Sequence, residues 1–285
     1  MEWRFVTNPL PEHMVVPHPE ISDDDLTKIG VLLETRHSFS IANYKIKYMK
    51  RRIALRMRAC RCTGTAAYLD LLHNSEAELN LLRKGLTIHV SHFFRNPTMF
   101  EKLRTNILPA ILHAAPPSLT FRSLGCAGGE EAYSLALLLQ EHFPQEIRHI
   151  IIEIHGLDID ADILHTATQA LYQEDRLKEI TPLFRARYFS PQGAHWQLAP
   201  SIREMVTFHN QDIMELDTLS PCDIILCRNT LIYFAREDQE KILLSIARML
   251  STGGILVLGK SETLTSGVRH YFTSICSAER IYRKL

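Results

Sequence analysis

Apolar and polar positions change rhythm once along the chain. From Ser22, which three aspartates follow, to about Leu86, apolar residues recur every three or four positions, the spacing of amphipathic helices. The acidic start suits a helix N-terminus. Residues 21–87 therefore predict a small all-helical domain. Residues 1–20 hold four prolines and no period, and read as an extended arm. Further on, Asn96 and Pro97 read as the N-cap and first position of a helix running to about His113. Beyond it apolar runs alternate with amphipathic segments: LTFRSLG, EEAYSLALLLQEHF, HIIIEIHGLDI, DADILHTATQAL, CDIILC, REDQEKILLSIARML and GILVLG. Buried strands alternating with helices predict a parallel α/β sheet over residues 88–285. Residues 173–206, including RARYFSPQGAHWQLAP, break the alternation and are too long for an ordinary loop, so they read as an inserted subdomain of short strands. Two β-like runs between Tyr271 and Lys284 predict a closing hairpin on the sheet edge.

Composition narrows the partners. Lys plus Arg and Asp plus Glu are both 32, so no global field favours nucleic acid or an anionic membrane. Charge is instead local. The second helix, expected from Asn43 to about Cys62, carries eight basic residues and no acid. At about 100° per residue, Lys47, Lys50, Arg51, Arg58 and Arg61 share one face, beside an apolar stripe of Ile46, Met49, Ile53, Met57 and Cys60. Such a face is either a solvated surface or a dock for an acidic partner. The first residues have neither a basic leader nor an apolar run, and no stretch is long enough to span a membrane, so a cytoplasmic protein without membrane insertion is expected. Six cysteines without a CxxC pair read as reduced thiols. His89 and His92 are the closest of the histidines and have no nearby Cys, Asp or Glu, so no metal site is expected.

The chemistry concentrates where the first strand hands over to a helix. Gly125-Cys-Ala-Gly-Gly129 is a glycine-rich turn at the carboxyl edge of a doubly wound sheet, where ligands bind. Its spacing is not GxGxxG, and Glu130 and Glu131 stand where a pyrophosphate would need bare N–H groups, which argues against NAD and FAD. The pattern GxxxxGK[ST] is absent too. S-adenosylmethionine, with a sulfonium and an ammonium and no phosphate, suits an adjacent carboxylate; one of the two glutamates is expected merely to complement the helix dipole. Asp158 and Asp160 close the second strand, the first positioned to accept both hydroxyls of a ribose, the second to cap the next helix.

Ser91-His-Phe-Phe-Arg95, Gly129-Glu-Glu-Ala-Tyr-Ser134, Cys227-Arg-Asn-Thr-Leu-Ile-Tyr-Phe234 and Gly259-Lys-Ser-Glu262 occur in that order. Together they resemble the CheR family, the glutamate methyltransferases of bacterial chemotaxis receptors. The resemblance spans nearly the whole chain. It implies a Rossmann-like class I methyltransferase sheet with a small β-containing insertion behind an all-helical domain. It also implies S-adenosylmethionine as cofactor, S-adenosylhomocysteine as product, and methyl esterification of glutamates on cytoplasmic receptor helices. His89, Ser91, Arg95, Gly125, Gly129, Glu130, Asp158, Asp212, Ile213, Arg228 and Asn229 would line the cofactor site, with Asp212 and Ile213 reading adenine. Arg95 and Tyr233 would orient the substrate carboxylate, and the basic helix would dock the receptor. His89, Ser91, Asp212 and Cys126-Ala127-Gly128 depart from the residues usual in the family. The stretch after Tyr188 and Phe189 is short, with one glycine, Gly193, so no strong tethering of a receptor tail is expected. Two other readings stay open: a methyltransferase for another acidic protein or a small acid, and a regulatory module that binds the cofactor without turnover. A nucleic-acid methyltransferase is disfavoured by the zero net charge and the lack of a base-flipping motif.

Overall fold

The computed structural model describes residues 20–87 and 90–285. The expected arm, apart from Glu20, and His89 lie outside the described residues. The chain divides between Leu86 and Thr87 into two compact units.

The first unit is helical: α1 Asp23–His37, α2 Ile46–Ala59, α3 Thr65–Asn74 and α4 Glu76–Leu86. Ser22 caps α1 by accepting the Asp25 amide at 3.0 Å. Ile29, Leu33, Met49, Ile53, Met57, Tyr68, Leu72, Leu79 and Leu82 form its core. Within it a buried carboxylate, Glu78, takes Arg56 and the Tyr68 hydroxyl, so this basic residue of α2 faces inward.

The basic helix is shorter than its composition predicts. Arg61 follows α2 at φ 56°, its amide bonds Arg58 O, and the Cys62 amide bonds Met57 O. That is a Schellman end with arginine in the left-handed position usually given to glycine. Arg61 is therefore off the helical face on which its spacing placed it. Lys50 is paired with Asp23 at 2.7 Å, and Ile46, expected in the apolar stripe, is 57% exposed. Lys47, Arg51 and Arg58 remain exposed on one side of α2.

The second unit opens with α5 Pro97–Lys102, a π-turn over Leu103–Ile107 and α6 Leu108–His113. The helix expected to run unbroken from Pro97 widens here because Pro109 has no amide to donate to the preceding turn. Then come β1 Ser118–Leu124, α7 Glu130–His142, β2 Ile151–Asp158, α8 Ala161–Gln169, β3 Leu171–Tyr172, α9 Pro182–Tyr188, β4 Phe189–Gln192, β5 His195–Leu198, α10 Pro200–Arg203, β6 Val206–Asn210, β7 Cys222–Cys227, α11 Arg236–Met249, β8 Leu250–Leu258, β9 Phe272–Cys276 and β10 Ile281–Lys284. The large sheet has the order β6-β2-β1-β7-β8-β10-β9. Its first five strands pair in parallel, and β9 and β10 form the antiparallel hairpin at the edge.

β1 has β2 on one side and β7 on the other, so the connections leave in opposite directions and open a crevice at the carboxyl ends. The insertion is a three-stranded antiparallel sheet, β3-β5-β4. It begins at Leu171, not 173, and also contains α9, α10 and a 3-10 turn over Glu174–Leu177. One core joins α7 to sheet and insertion: Phe121, Tyr133, Leu135, Leu139, Tyr172, Leu177 and Phe189 are all buried in it. Among the described residues no helix is long and apolar enough to cross a membrane.

Candidate active site

The turn after β1 is held by its neighbours on both sides. Gly125 has φ 69°, and a Cβ there would collide with the Thr230 side chain, so only glycine lets the β1 and β7 loops approach this closely. Gly129, at φ 82°, is the N-cap of α7, and a Cβ on it would lie 2.6 Å from the Phe208 ring. Asp158 ends β2 with a carboxylate that accepts the Ala127 amide at 2.9 Å and the Asp160 amide at 3.0 Å. Asp160 caps α8 through the Asp162 amide, the role its position predicts.

Glu130 and Glu131 diverge. Glu131 accepts Arg228 Nη1 at 2.7 Å and the Ser123 hydroxyl at 2.8 Å. The other arm of Arg228 donates to Arg95 O at 2.7 Å and Asn96 Oδ1 at 2.6 Å. Arg228, expected against the cofactor, is thus a buried brace tying α7, the strip before α5 and the end of β7 together. The same contact uses Asn96 side-on; it sits at φ 64° and makes no side-chain cap. Glu130 is 2% exposed. Its Oε1 accepts Arg176 Nη1 at 3.1 Å, while its Oε2 is buried and without a partner. Burial pushes this carboxyl above its ordinary range, opposed by its own amide, Arg176 and the Ser91 hydroxyl. A Cβ on Gly128 would lie 3.0 Å from that Oε2. A buried acceptor with no donor, beside a glycine that leaves it room, has capacity to receive a donor group from outside the chain.

The β7 loop is fixed by a residue to which its spacing assigned no role. Glu262, 4% exposed, accepts the amides of Asn229 and Thr230, each at 2.9 Å, and of Gly259 at 2.7 Å. Burial raises its pKa and these amides oppose the rise. Asn229 sits at φ 58°, and Tyr233 follows on the 3-10 turn Leu231–Tyr233, half-buried. Asp212, expected to read adenine, accepts the Met214 amide at 2.8 Å and caps the turn that begins at Ile213; its second oxygen is what remains for a ligand. Arg95 donates to Val90 O at 2.8 Å.

The carboxyl ends of β1, β2, β6 and β7 thus gather Gly125, Glu130, Asp158, Asp212 and Asn229 around one crevice. Lys47, Lys50, Arg51, Arg58 and Arg61 belong to the other unit. Arg176 and the opposite duties of the two glutamates escaped sequence reasoning, because each depends on a partner 46 or 97 positions away.

Residues 89–281 match the family model described as CheR methyltransferase, SAM binding domain, and residues 24–87 match CheR methyltransferase, all-alpha domain. The chain belongs to the CheR methyltransferase family. Chemotaxis protein methyltransferase 2 of Vibrio cholerae is 30% identical across 86% of this chain and 87% of its own length. The chemotaxis protein methyltransferase of Listeria monocytogenes is 30% identical across 79% and 84%. A 104.1 kDa protein of Rhodobacter capsulatus is 31% identical across 91% of this chain, which spans 27% of that longer protein. A CheR methyltransferase uses S-adenosylmethionine, and the unpartnered Glu130 oxygen beside Gly128 fits a cofactor that carries an ammonium and no phosphate.

Proposed function

We propose that the chain methylates the side-chain carboxylates of glutamates on the cytoplasmic helices of chemotaxis receptors, giving γ-methyl esters and S-adenosylhomocysteine, and that it acts in the cytoplasm. The observation that carries this reading is the extent of the likeness to proteins named chemotaxis protein methyltransferases: it covers 86% of the chain in one case, more than the cofactor-binding unit alone.

The cofactor supplies an electrophilic methyl on a sulfonium. The acceptor carboxylate is ionised at neutral pH, its ordinary pKa being about 4.3, and needs no general base. Its oxygen forms the new bond to the methyl carbon, the sulfur keeps the electron pair of the bond that breaks, and no proton moves. What the protein must provide is placement and exclusion of water. In this reading Glu130 takes the ammonium, Asp158 the ribose hydroxyls, and Asp212 with Ile213 the adenine. Ser91 lines the same site. Asn229 lines the crevice, while Arg228 acts through Glu131 and the backbone at Arg95. Arg95 orients the substrate carboxylate, and the Tyr233 hydroxyl fixes its second oxygen. Arg95→Ala is expected to lower kcat by about a hundredfold with cofactor affinity changed less than about threefold, read by steady-state kinetics beside calorimetry. A loss of cofactor affinity with kcat unchanged at saturating cofactor would assign Arg95 to the cofactor alone.

Recognition of receptor falls to Lys47, Arg51 and Arg58 on α2, with Lys50 and Arg61 contributing less because of their positions. The two-residue turn between β4 and β5, Gly193 and Ala194, leaves no long loop there to grip a receptor tail. Reversing Arg51 and Arg58 to glutamate is expected to raise KM for receptor about tenfold at low salt and to leave cofactor affinity alone. Mass spectrometry of receptor peptides tests the reaction itself: the reading requires a gain of one methylene on glutamates, and modification confined to other residues would overturn it.

A further inference from the structure

The inserted sheet reaches back to the cofactor turn at two points. Tyr172, on β3, donates its hydroxyl to Gly128 O at 2.7 Å. Four residues later Arg176, on the 3-10 turn Glu174–Leu177, donates Nη1 to Ser91 O at 2.5 Å and to Glu130 Oε1 at 3.1 Å. Its own carbonyl accepts the Phe93 amide at 3.0 Å. One guanidinium arm therefore spans from the strip before α5 to the first residue of α7, and both ends belong to the crevice. The Arg176 side chain keeps 32% exposure, against 2% for Glu130.

We propose that Arg176 is a positioning residue of the cofactor site, which holds Glu130 ionised through Oε1 and so presents the buried, unpartnered Oε2 to the ammonium of S-adenosylmethionine. The inference rests on the reading that Glu130 receives that ammonium. A carboxylate this deeply buried prefers to be neutral, and a neutral acid binds an ammonium poorly. The charged and titratable groups around it are few. Arg176 favours the ionised form; Asp175, on the same turn, opposes it. Tyr172 and Cys126 face it from β3 and the glycine turn, and burial keeps both protonated. Burial is opposed first by the amide of Glu130 itself, then by Arg176 and the Ser91 hydroxyl; Arg176 is the one cation among them, and its bond goes to Oε1, leaving Oε2 uncovered. Both contacts come from Nη1 alone, so lysine would keep the charge but not the planar, delocalised guanidinium that fixes its direction.

The sign of the pH dependence follows. Glu130 must be ionised to bind the ammonium, so affinity is present above its raised pKa and falls as pH drops through it. Removing Arg176 raises that pKa further, so affinity should fail from a higher pH.

The test is calorimetry of S-adenosylmethionine and of 5′-methylthioadenosine, which lacks the amino-acid portion, on wild type, Arg176→Gln and Arg176→Lys, from mildly acidic to mildly alkaline pH. For Arg176→Gln we expect about tenfold weaker S-adenosylmethionine binding at neutral pH, unchanged methylthioadenosine binding, and an upward shift of the pH at which S-adenosylmethionine affinity falls. Arg176→Lys should retain part of the preference and shift the pH less. Equal weakening of both ligands, or an unmoved pH profile, would overturn the inference by reducing Arg176 to a structural link. Failure of the underlying reading has a separate signature: a wild-type preference between the two ligands that Glu130→Gln leaves intact would withdraw the ammonium from Glu130, and the role of Arg176 with it.

Discussion

Glu130→Gln is expected to weaken binding of S-adenosylmethionine by about ten- to a hundredfold, the equivalent of one charge-assisted hydrogen bond of about 1.5–3 kcal/mol. Glutamine preserves the shape of the side chain, and its oxygen can still accept Arg176, so the packing of α7 should persist. What it loses is the negative charge at the end aimed past Gly128. If the carboxamide nitrogen takes the position of Oε2, two cationic or donor groups would face each other and the loss would lie at the upper end. Thermal unfolding should move little, because removing a buried charge with a single cationic partner also removes its desolvation cost. Calorimetric binding beside a melting curve separates the two effects. Unchanged affinity would place the ammonium elsewhere.

Glu262→Ala is expected to damage fold and turnover together. Its carboxylate satisfies three backbone amides, of Asn229, Thr230 and Gly259, in a spot too crowded for a side chain on Gly259: a Cβ there would lie 2.6 Å from Glu262 Oε2 and 2.9 Å from the Asn229 amide. Alanine would strand three buried donors at about 1–3 kcal/mol each if water cannot enter, so a loss of about 3–5 kcal/mol is expected after relaxation. For a chain of this size that lowers Tm by roughly 10 °C. Because the same amides set the path from Arg228 to Tyr233, kcat should fall even where the protein stays folded. Glu262→Gln, which offers one acceptor and a clashing NH₂, should sit between. A variant that melts near wild type with intact turnover would mean that the β7 loop holds itself.

How much of this was legible depends on how far apart the partners lie. Four of the five parallel strands, β1, β2, β7 and β8, announced themselves because their carboxyl halves are buried and read as apolar runs, and the glycine turn because positive φ at Gly125 and Gly129 admits few other residues; β6, on the sheet edge with only Val206 buried, gave no such run. Asp160 was legible as a cap because its partner, the Asp162 amide, is two residues away. Asp212 caps in the same local way, yet its position after β6 drew attention to a ligand instead. The end of α2 was hidden, since Arg61 occupies a left-handed position that normally advertises itself with glycine. Pro109 was visible, but the helix absorbs it as a π-turn without ending. The division of labour between Glu130 and Glu131 was out of reach. Adjacent residues on a helix point about 100° apart, and which of them meets Arg228 and which meets Arg176 is decided by the sheet order and by the insertion.

The central claim, that the acceptor is a glutamate carboxylate, is tested most directly by incubating the protein with S-adenosylmethionine tritiated in its methyl group and with receptor cytoplasmic fragments, then treating the labelled fragments with mild alkali. The account requires label on the receptor that alkali releases as volatile methanol, the behaviour of a methyl ester. Label that survives alkali, or no label from a protein saturated with cofactor, would contradict it.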